Sequence, residues 1–212
     1  MGLFLDSAMV EEVKQAVGLG FVTGVTTNPS IMARVKGEPR DIIRQICELS
    51  PGPVFYQVTA QTASEREREG REFFGICPDK VVLKIPATTE NMALAARLSK
   101  DFPCAATAVY SGHQTLAACE AGCRYVIPYV NRTTRLTGED GCELVAEMFA
   151  VTELCGRKAE IVAASIKSSD EAERAFLAGA HHLTMPLPVL LELGNHRFSD
   201  DAIAEFNRTA GR

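Results

Sequence analysis

"KVVLKIPATT", residues 80–89, sets one lysine, Lys84, among Val81, Val82, Leu83 and Ile85. A short apolar run rich in β-branched residues reads as a strand buried on both faces, the kind that parallel sheets use. An ammonium in such a strand costs several kcal/mol unless it snorkels to water, finds a partner or gives up its proton. A lysine that is neutral at working pH is a nucleophile. The stretch therefore poses a question of fold and one of chemistry.

Similar runs lie on either side of it. Strands are expected at "LFLD" (3–6), "VTGVT" (22–26), "VFYQV" (54–58), "VVLKI" (81–85), "CAATAV" (104–109), "YVIPYV" (125–130), "IVAAS" (161–165) and "HLTMP" (182–186). Between them, helical signals cover 7–17, 39–50, 62–75, 89–100, 111–122, 138–154 and 168–179. Serine, threonine or aspartate tends to open these segments, and Gly122 and Gly179 close two of them. Such alternation suits a (β/α)8 barrel or a doubly wound sheet, and the count of eight strands favours the barrel. The expectation is an α/β chain forming a single (β/α)8 TIM barrel over residues 1–212, with an extra C-terminal helix at 199–209.

Composition narrows the function. At 46% hydrophobic residues the chain can bury one large core, and its net charge of −5 gives no electrostatic support for nucleic acid or an anionic membrane. The seven cysteines are odd in number and contain no CxxC pair, which argues against a disulfide framework and a structural zinc site and suggests a reducing, cytoplasmic setting. No stretch approaches the roughly 18 apolar residues of a membrane span. The start "MGLFLD" reads as neither a secretory signal nor a myristoylation site, because Asp6 stands where Ser or Thr is needed. A small-molecule function is expected, with no metal and no nucleotide cofactor.

The strand ends carry the chemistry. Side chains alternate along a barrel strand, and active-site groups project inward at the C-terminal rim. Seven of the eight strands put a polar residue at or near that rim: Asp6, Thr26, Gln57, Lys84, Thr107, Tyr129 and Ser165. Parity pairs Phe55 with Gln57, Val82 with Lys84, Ala105 with Thr107 and Ile127 with Tyr129 on shared faces. An acid, an amine and a phenol converging on one pocket suit Schiff-base chemistry, in which the lysine attacks a ketone and the iminium draws electrons from a breaking carbon–carbon bond. Asp6 would shuttle protons, although a nearby carboxylate also holds a lysine protonated.

The motifs "LFLDSA", "GVTTNPS", "VVLKIPAT", "TAVYS", "IPYVNR" and "VAASIKS" follow the order and approximate spacing of the transaldolase superfamily, and the chain resembles its short members related to fructose-6-phosphate aldolase. That resemblance implies a (β/α)8 barrel, Schiff-base catalysis without cofactor, a ketose-phosphate substrate and a ring-like homo-oligomer, pentamer or decamer. It assigns Lys84 as the Schiff-base lysine, Asp6 as its acid and Asn28 as a hydrogen-bonding partner of the dihydroxyacetone portion. Ser165 would contact the same end or a phosphate, Arg132 the substrate phosphate, and Thr26 counts among the substrate-binding residues. Gln57, Thr107 and Tyr129 match the aldolase trio that holds a proton-transfer water, where short transaldolases carry glutamate and phenylalanine at the positions of Gln57 and Tyr129. The implied activity is reversible cleavage of fructose 6-phosphate to dihydroxyacetone and glyceraldehyde 3-phosphate. Its rivals are a transaldolase that moves the same unit to erythrose 4-phosphate and a non-catalytic sugar-phosphate-binding protein.

Other signals are read as structural. His181 and His182 would point to opposite faces of a strand, and Gly18, Gly20 and Gly24 precede a strand where a dinucleotide fingerprint follows one. "SEREREGRE" (64–72) reads as a solvated helix face with Glu67–Arg71 and Arg68–Glu72 pairs, Cys119 and Cys123 as buried, and Lys167 as solvent-facing. The final helix places Ile203 and Phe206 on one side, for its own barrel or for a neighbour.

Overall fold

The computed structural model describes residues 1–156 and 158–211. The chain runs β1 (Gly2–Asp6), α1 (Val10–Gly18), β2 (Val22–Thr26), α2 (Pro29–Met32), α3 (Pro39–Leu49), β3 (Val54–Gln57), α4 (Ala63–Phe74), β4 (Val81–Pro86), α5 (Thr89–Leu98) and β5 (Cys104–Val109). It continues with α6 (Gly112–Glu120), β6 (Tyr125–Pro128), α7 (Val130–Thr137), α8 (Gly141–Leu154), β7 (Glu160–Ala163), α9 (Ser169–Leu177), β8 (His182–Met185), α10 (Leu187–Glu192) and α11 (Arg197–Thr209). The eight strands are parallel and close in chain order into a barrel.

Burial separates two apolar layers. Phe4, Phe55, Val82, Ala105, Tyr125, Ile127, Val162 and Ala164 fill the barrel, with Tyr129 packed against them. A larger cluster, including Leu5, Val54, Leu83, Ile85 and Ala106, joins the outer wall to the helices. Alternation along each strand produces this division, and the four parity pairs read from the sequence put their apolar members inside. Helix ends follow the expected chemistry: Thr62, Thr88, Ser111, Asp140 and Ser168 each accept a hydrogen bond from a first-turn backbone N–H.

Some boundaries move. Helix α1 starts at Val10 instead of Ser7, because Ser7 is buried and accepts from Met9 N at 3.1 Å. Strand β6 stops at Pro128, so Tyr129 keeps only an isolated bridge to Ala164 and Val130 opens α7. Helices α2, α7 and α10 were not expected as separate elements; all three sit just past strand ends, over the rim. In "SEREREGRE", Arg71 pairs with Glu67 at 3.0 Å, whereas Glu72 pairs with Arg40 of α3, not with Arg68. His182 stacks on Phe4 inside the barrel, while His181 packs against Phe149 of α8, on the opposite side as expected. Cys119 and Cys123 are buried, also as expected.

Helix α11 begins two residues before the expected start and has no buried residue. Phe198, Ile203 and Phe206 are 64%, 55% and 68% exposed, so its apolar side is not buried against the protein's own barrel. No helix among the described residues is long and apolar enough to cross a membrane.

Candidate active site

The C-terminal ends of the strands surround a cavity of about 380 Å³, within the size range of small-molecule sites. Asp6, Thr26, Asn28, Gln57, Lys84, Tyr129, Arg132 and Ser165 all line it. Thr107 does not; it is fully buried behind Tyr129 and reaches the site through a 3.0 Å hydrogen bond between Thr107 Oγ1 and the phenol. Asp6, Gln57, Lys84, Thr107 and Tyr129 come inward by the parity that puts Phe4, Phe55, Val82, Ala105 and Ile127 inside the barrel, with Gln57 and Lys84 as Cα partners across β3 and β4. Ser165 lies beyond β7, out of phase with Val162 and Ala164, and Arg132 sits on α7.

Lys84 is 3% exposed. Its Nζ donates to Thr27 O at 2.8 Å, and no carboxylate among the described residues lies within ion-pair distance. The sequence left a choice between a snorkelling lysine and a desolvated one, and burial decides for the second. Removal from water lowers its pKa from 10.5 to about 8, an effect that the negative charge of Asp6 partly opposes. Roughly a tenth is then free amine at pH 7, against well under a thousandth for an ordinary lysine.

Asp6 lies across the mouth. Its Oδ1 accepts from Thr26 Oγ1 at 2.9 Å, and Thr26 Oγ1 is also 2.6 Å from Thr184 Oγ1. Burial raises the Asp6 pKa; the charges of Lys84, Lys167 and Arg34 and the Thr26 hydrogen bond pull the other way. A carboxyl displaced upward and an amine displaced downward approach each other in proton affinity, which suits an acid–base pair. Tyr129 is likewise raised by burial, against the Thr107 hydrogen bond and the Arg132 charge, so it keeps its proton as a donor.

Gln57 Oε1 is buried with no hydrogen-bond partner among the described residues. Buried polar atoms are nearly always satisfied, so this oxygen marks where a water or substrate group belongs. Asn28 turns its Oδ1 to Ile31 N at 3.1 Å, capping α2. The Arg132 guanidinium lies 4.7 Å from the centroid of the Tyr129 ring. Ser165 has φ of +60°, a left-handed conformation that costs a non-glycine residue on the order of 1–2 kcal/mol. A second left-handed residue, Ala108, makes the bulge after Thr107.

The structure adds residues that sequence reading passed over. Thr184 gives the eighth strand its inward polar group, and its two-residue spacing from His182 was the available signal. Arg34, beyond α2, and Lys167, read as merely solvent-facing, are exposed side chains that also line the cavity. With Arg132 they give the mouth three cations, and none of them has a carboxylate within ion-pair distance among the described residues. Among those residues, no three His, Cys, Asp or Glu side chains gather as metal ligands.

Two solved structures share the fold at low sequence identity. Thiamine phosphate pyrophosphorylase from Pyrococcus furiosus superposes with a TM-score of 0.63 at 15% identity, covering 91% of this chain and 93% of that one. A mandelate oxidase mutant with an FMN adduct gives 0.63 at 13%, covering 96% of this chain and 70% of that one. Closer relatives exist in sequence. A probable transaldolase of Herpetosiphon aurantiacus is 36% identical over 97% of this chain and 93% of its own length. A probable transaldolase of Moorella thermoacetica is 36% identical over 97% of this chain and 95% of its own. Residues 3–210 match the family described as Transaldolase/Fructose-6-phosphate aldolase. With a buried lysine, an acid and a cationic mouth on an eight-stranded barrel, the chain belongs to that family and is an enzyme of the transaldolase/aldolase type.

Proposed function

We propose that this enzyme is a Schiff-base aldolase that reversibly cleaves fructose 6-phosphate to dihydroxyacetone and glyceraldehyde 3-phosphate. The free amine of Lys84 attacks the C2 carbonyl, and Asp6 passes protons to the departing oxygen until water leaves and an iminium remains. The C3–C4 bond then breaks. Its electron pair moves into the iminium to form an enamine, the C4 hydroxyl loses its proton to a base, and C4 departs as the aldehyde. Protonation at C3 and hydrolysis of the iminium release dihydroxyacetone and regenerate Lys84.

The observation that carries the aldolase reading over transfer is the unpartnered Gln57 Oε1 in the same cavity as a Tyr129 phenol held by Thr107. A water accepted between them can carry a proton to the enamine carbon, which phenylalanine in place of Tyr129 could not supply. The substrate phosphate is assigned to Arg132, whose planar fork suits an anion, with Lys167 and Arg34 adding charge. Asn28, Thr26 and Ser165 are assigned to the hydroxyls of the three-carbon unit.

A transaldolase, passing the enamine to erythrose 4-phosphate, is the second reading, and the naming of the relatives as probable transaldolases favours it. Fructose 6-phosphate supplied alone discriminates. Free dihydroxyacetone without acceptor supports the aldolase; turnover only on adding erythrose 4-phosphate, with sedoheptulose 7-phosphate as product, replaces it with the transaldolase.

Residues 1–212 are read as one barrel unit of a cytoplasmic homo-oligomer, in which α11 lies on a neighbouring copy. Its three exposed apolar side chains and the seven free cysteines support this.

A further inference from the structure

Ser168-x-x-Glu171 has the form of a capping box at the start of α9, in which the glutamate ordinarily reaches back to the N-cap backbone N–H. Half of the box is present, since Glu171 N donates to Ser168 Oγ at 3.1 Å. The carboxylate goes elsewhere. Its Oε2 accepts from Lys167 N at 2.7 Å, one residue before the cap, and its Oε1 accepts from Asn131 Nδ2 at 2.6 Å.

Asn131 lies in the first turn of α7, next to Arg132, and Lys167 lies two residues past Ser165 on the β7–α9 loop. Asn131 N also donates to Ser165 O at 3.2 Å, at the left-handed residue. One carboxylate thus joins the two rim segments that bear Arg132 and Lys167, and a backbone bond beside it completes the link. Helix capping alone needs neither Asn131 nor the Lys167 amide.

We propose that Glu171 is a positioning residue that holds the Arg132 and Lys167 segments in register as one binding pole for the substrate's phosphate. The inference rests on the assignment of Arg132 to that phosphate. Glu171 touches no substrate and acts through Asn131 and the Lys167 backbone. Hydrogen bonds to an ionised group are the stronger class, so loss of both should weaken phosphate binding about tenfold.

The test compares a phosphorylated with an unphosphorylated ligand in Glu171→Ala, Ser168→Ala and Arg132→Gln. The measurements are KM for fructose 6-phosphate, with or without acceptor as the activity requires, and the dihydroxyacetone concentration that half-saturates borohydride trapping on Lys84. The expected result for Glu171→Ala is a KM about tenfold higher, kcat and dihydroxyacetone trapping within about twofold of the parent, and partial rescue by Glu171→Gln. Ser168→Ala, which removes the cap and leaves the bridge, should lower the melting temperature without raising KM. Equal losses for both ligands in Glu171→Ala, or the same KM rise in Ser168→Ala, would assign Glu171 a purely structural role and overturn the inference. If Arg132→Gln raises KM selectively and Glu171→Ala does not, the positioning claim alone fails. If Arg132→Gln has no selective effect, the phosphate assignment fails and this inference falls with it.

Discussion

Gln57 and Lys84 are Cα partners across the β3–β4 ladder, yet the Gln57 Oε1 stays without a hydrogen bond while Lys84 Nζ turns to Thr27 O at 2.8 Å. Two inward polar groups on adjacent strands therefore leave each other's chemistry open. The amine retains capacity for a carbonyl carbon, and the amide oxygen retains a lone pair for a water.

The displaced pKa of Lys84 fixes a pH profile. Schiff-base formation requires free amine, so borohydride trapping of dihydroxyacetone should rise with pH through about 8, well below the 10.5 of an ordinary lysine. Asp6 opposes the downward shift. Asp6→Asn should therefore move the inflection to lower pH while reducing the maximal rate roughly 10²-fold, measured by stopped-flow trapping across pH 5–10. An inflection that stays fixed or moves upward would refute the electrostatic account.

The same shift implies a stability cost. Between pH of about 8 and 10.5 the unfolded chain binds the Lys84 proton and the native one does not, so stability from this group rises with pH across that window and the full cost is borne below it. Lys84→Met should abolish turnover and, at pH 7, raise the melting temperature by about 2–6 °C, with the advantage shrinking toward pH 10.5. Calorimetry at two pH values checks both the sign and its dependence on pH.

Tyr129→Phe removes the phenol and leaves the ring under Arg132. Release of dihydroxyacetone from fructose 6-phosphate should fall roughly 10²-fold or more, while transfer of the three-carbon unit to erythrose 4-phosphate persists. Product analysis of the two reactions in parallel decides; equal loss in both would remove Tyr129 from proton delivery.

Helix α11 exposes Phe198, Ile203 and Phe206 on the isolated chain. Phe206→Asp should weaken the homo-oligomer and lower its sedimentation coefficient, without altering the far-ultraviolet circular dichroism of the barrel. An unchanged sedimentation profile would take α11 out of the subunit contact.

Much of the site was legible because it obeys local rules. Residues two apart on a strand share a face, so placing Phe55 or Val82 inside also placed Gln57 or Lys84. Strand ends were legible only to within a few residues, and Tyr129 lies beyond its strand because the ladder stops at Pro128. Arg34 was missed for a related reason: it follows a short helix, and no periodicity in the sequence indicates that this helix covers the barrel mouth.

The sequence by itself determined the alternation of elements, the count of eight strands and the inward parity of most rim residues, since each depends on neighbours a few positions apart. Closure of the barrel decided the rest. It brought Thr184 of β8 to 2.6 Å from Thr26 of β2, sent Lys84 to the carbonyl of Thr27, and turned the Glu171 carboxylate from its own helix cap to Asn131. It also buried Lys84 almost entirely, and that desolvation is what lowers its pKa. Distance and desolvation are properties of residues far apart in the chain, and only the assembled barrel sets them.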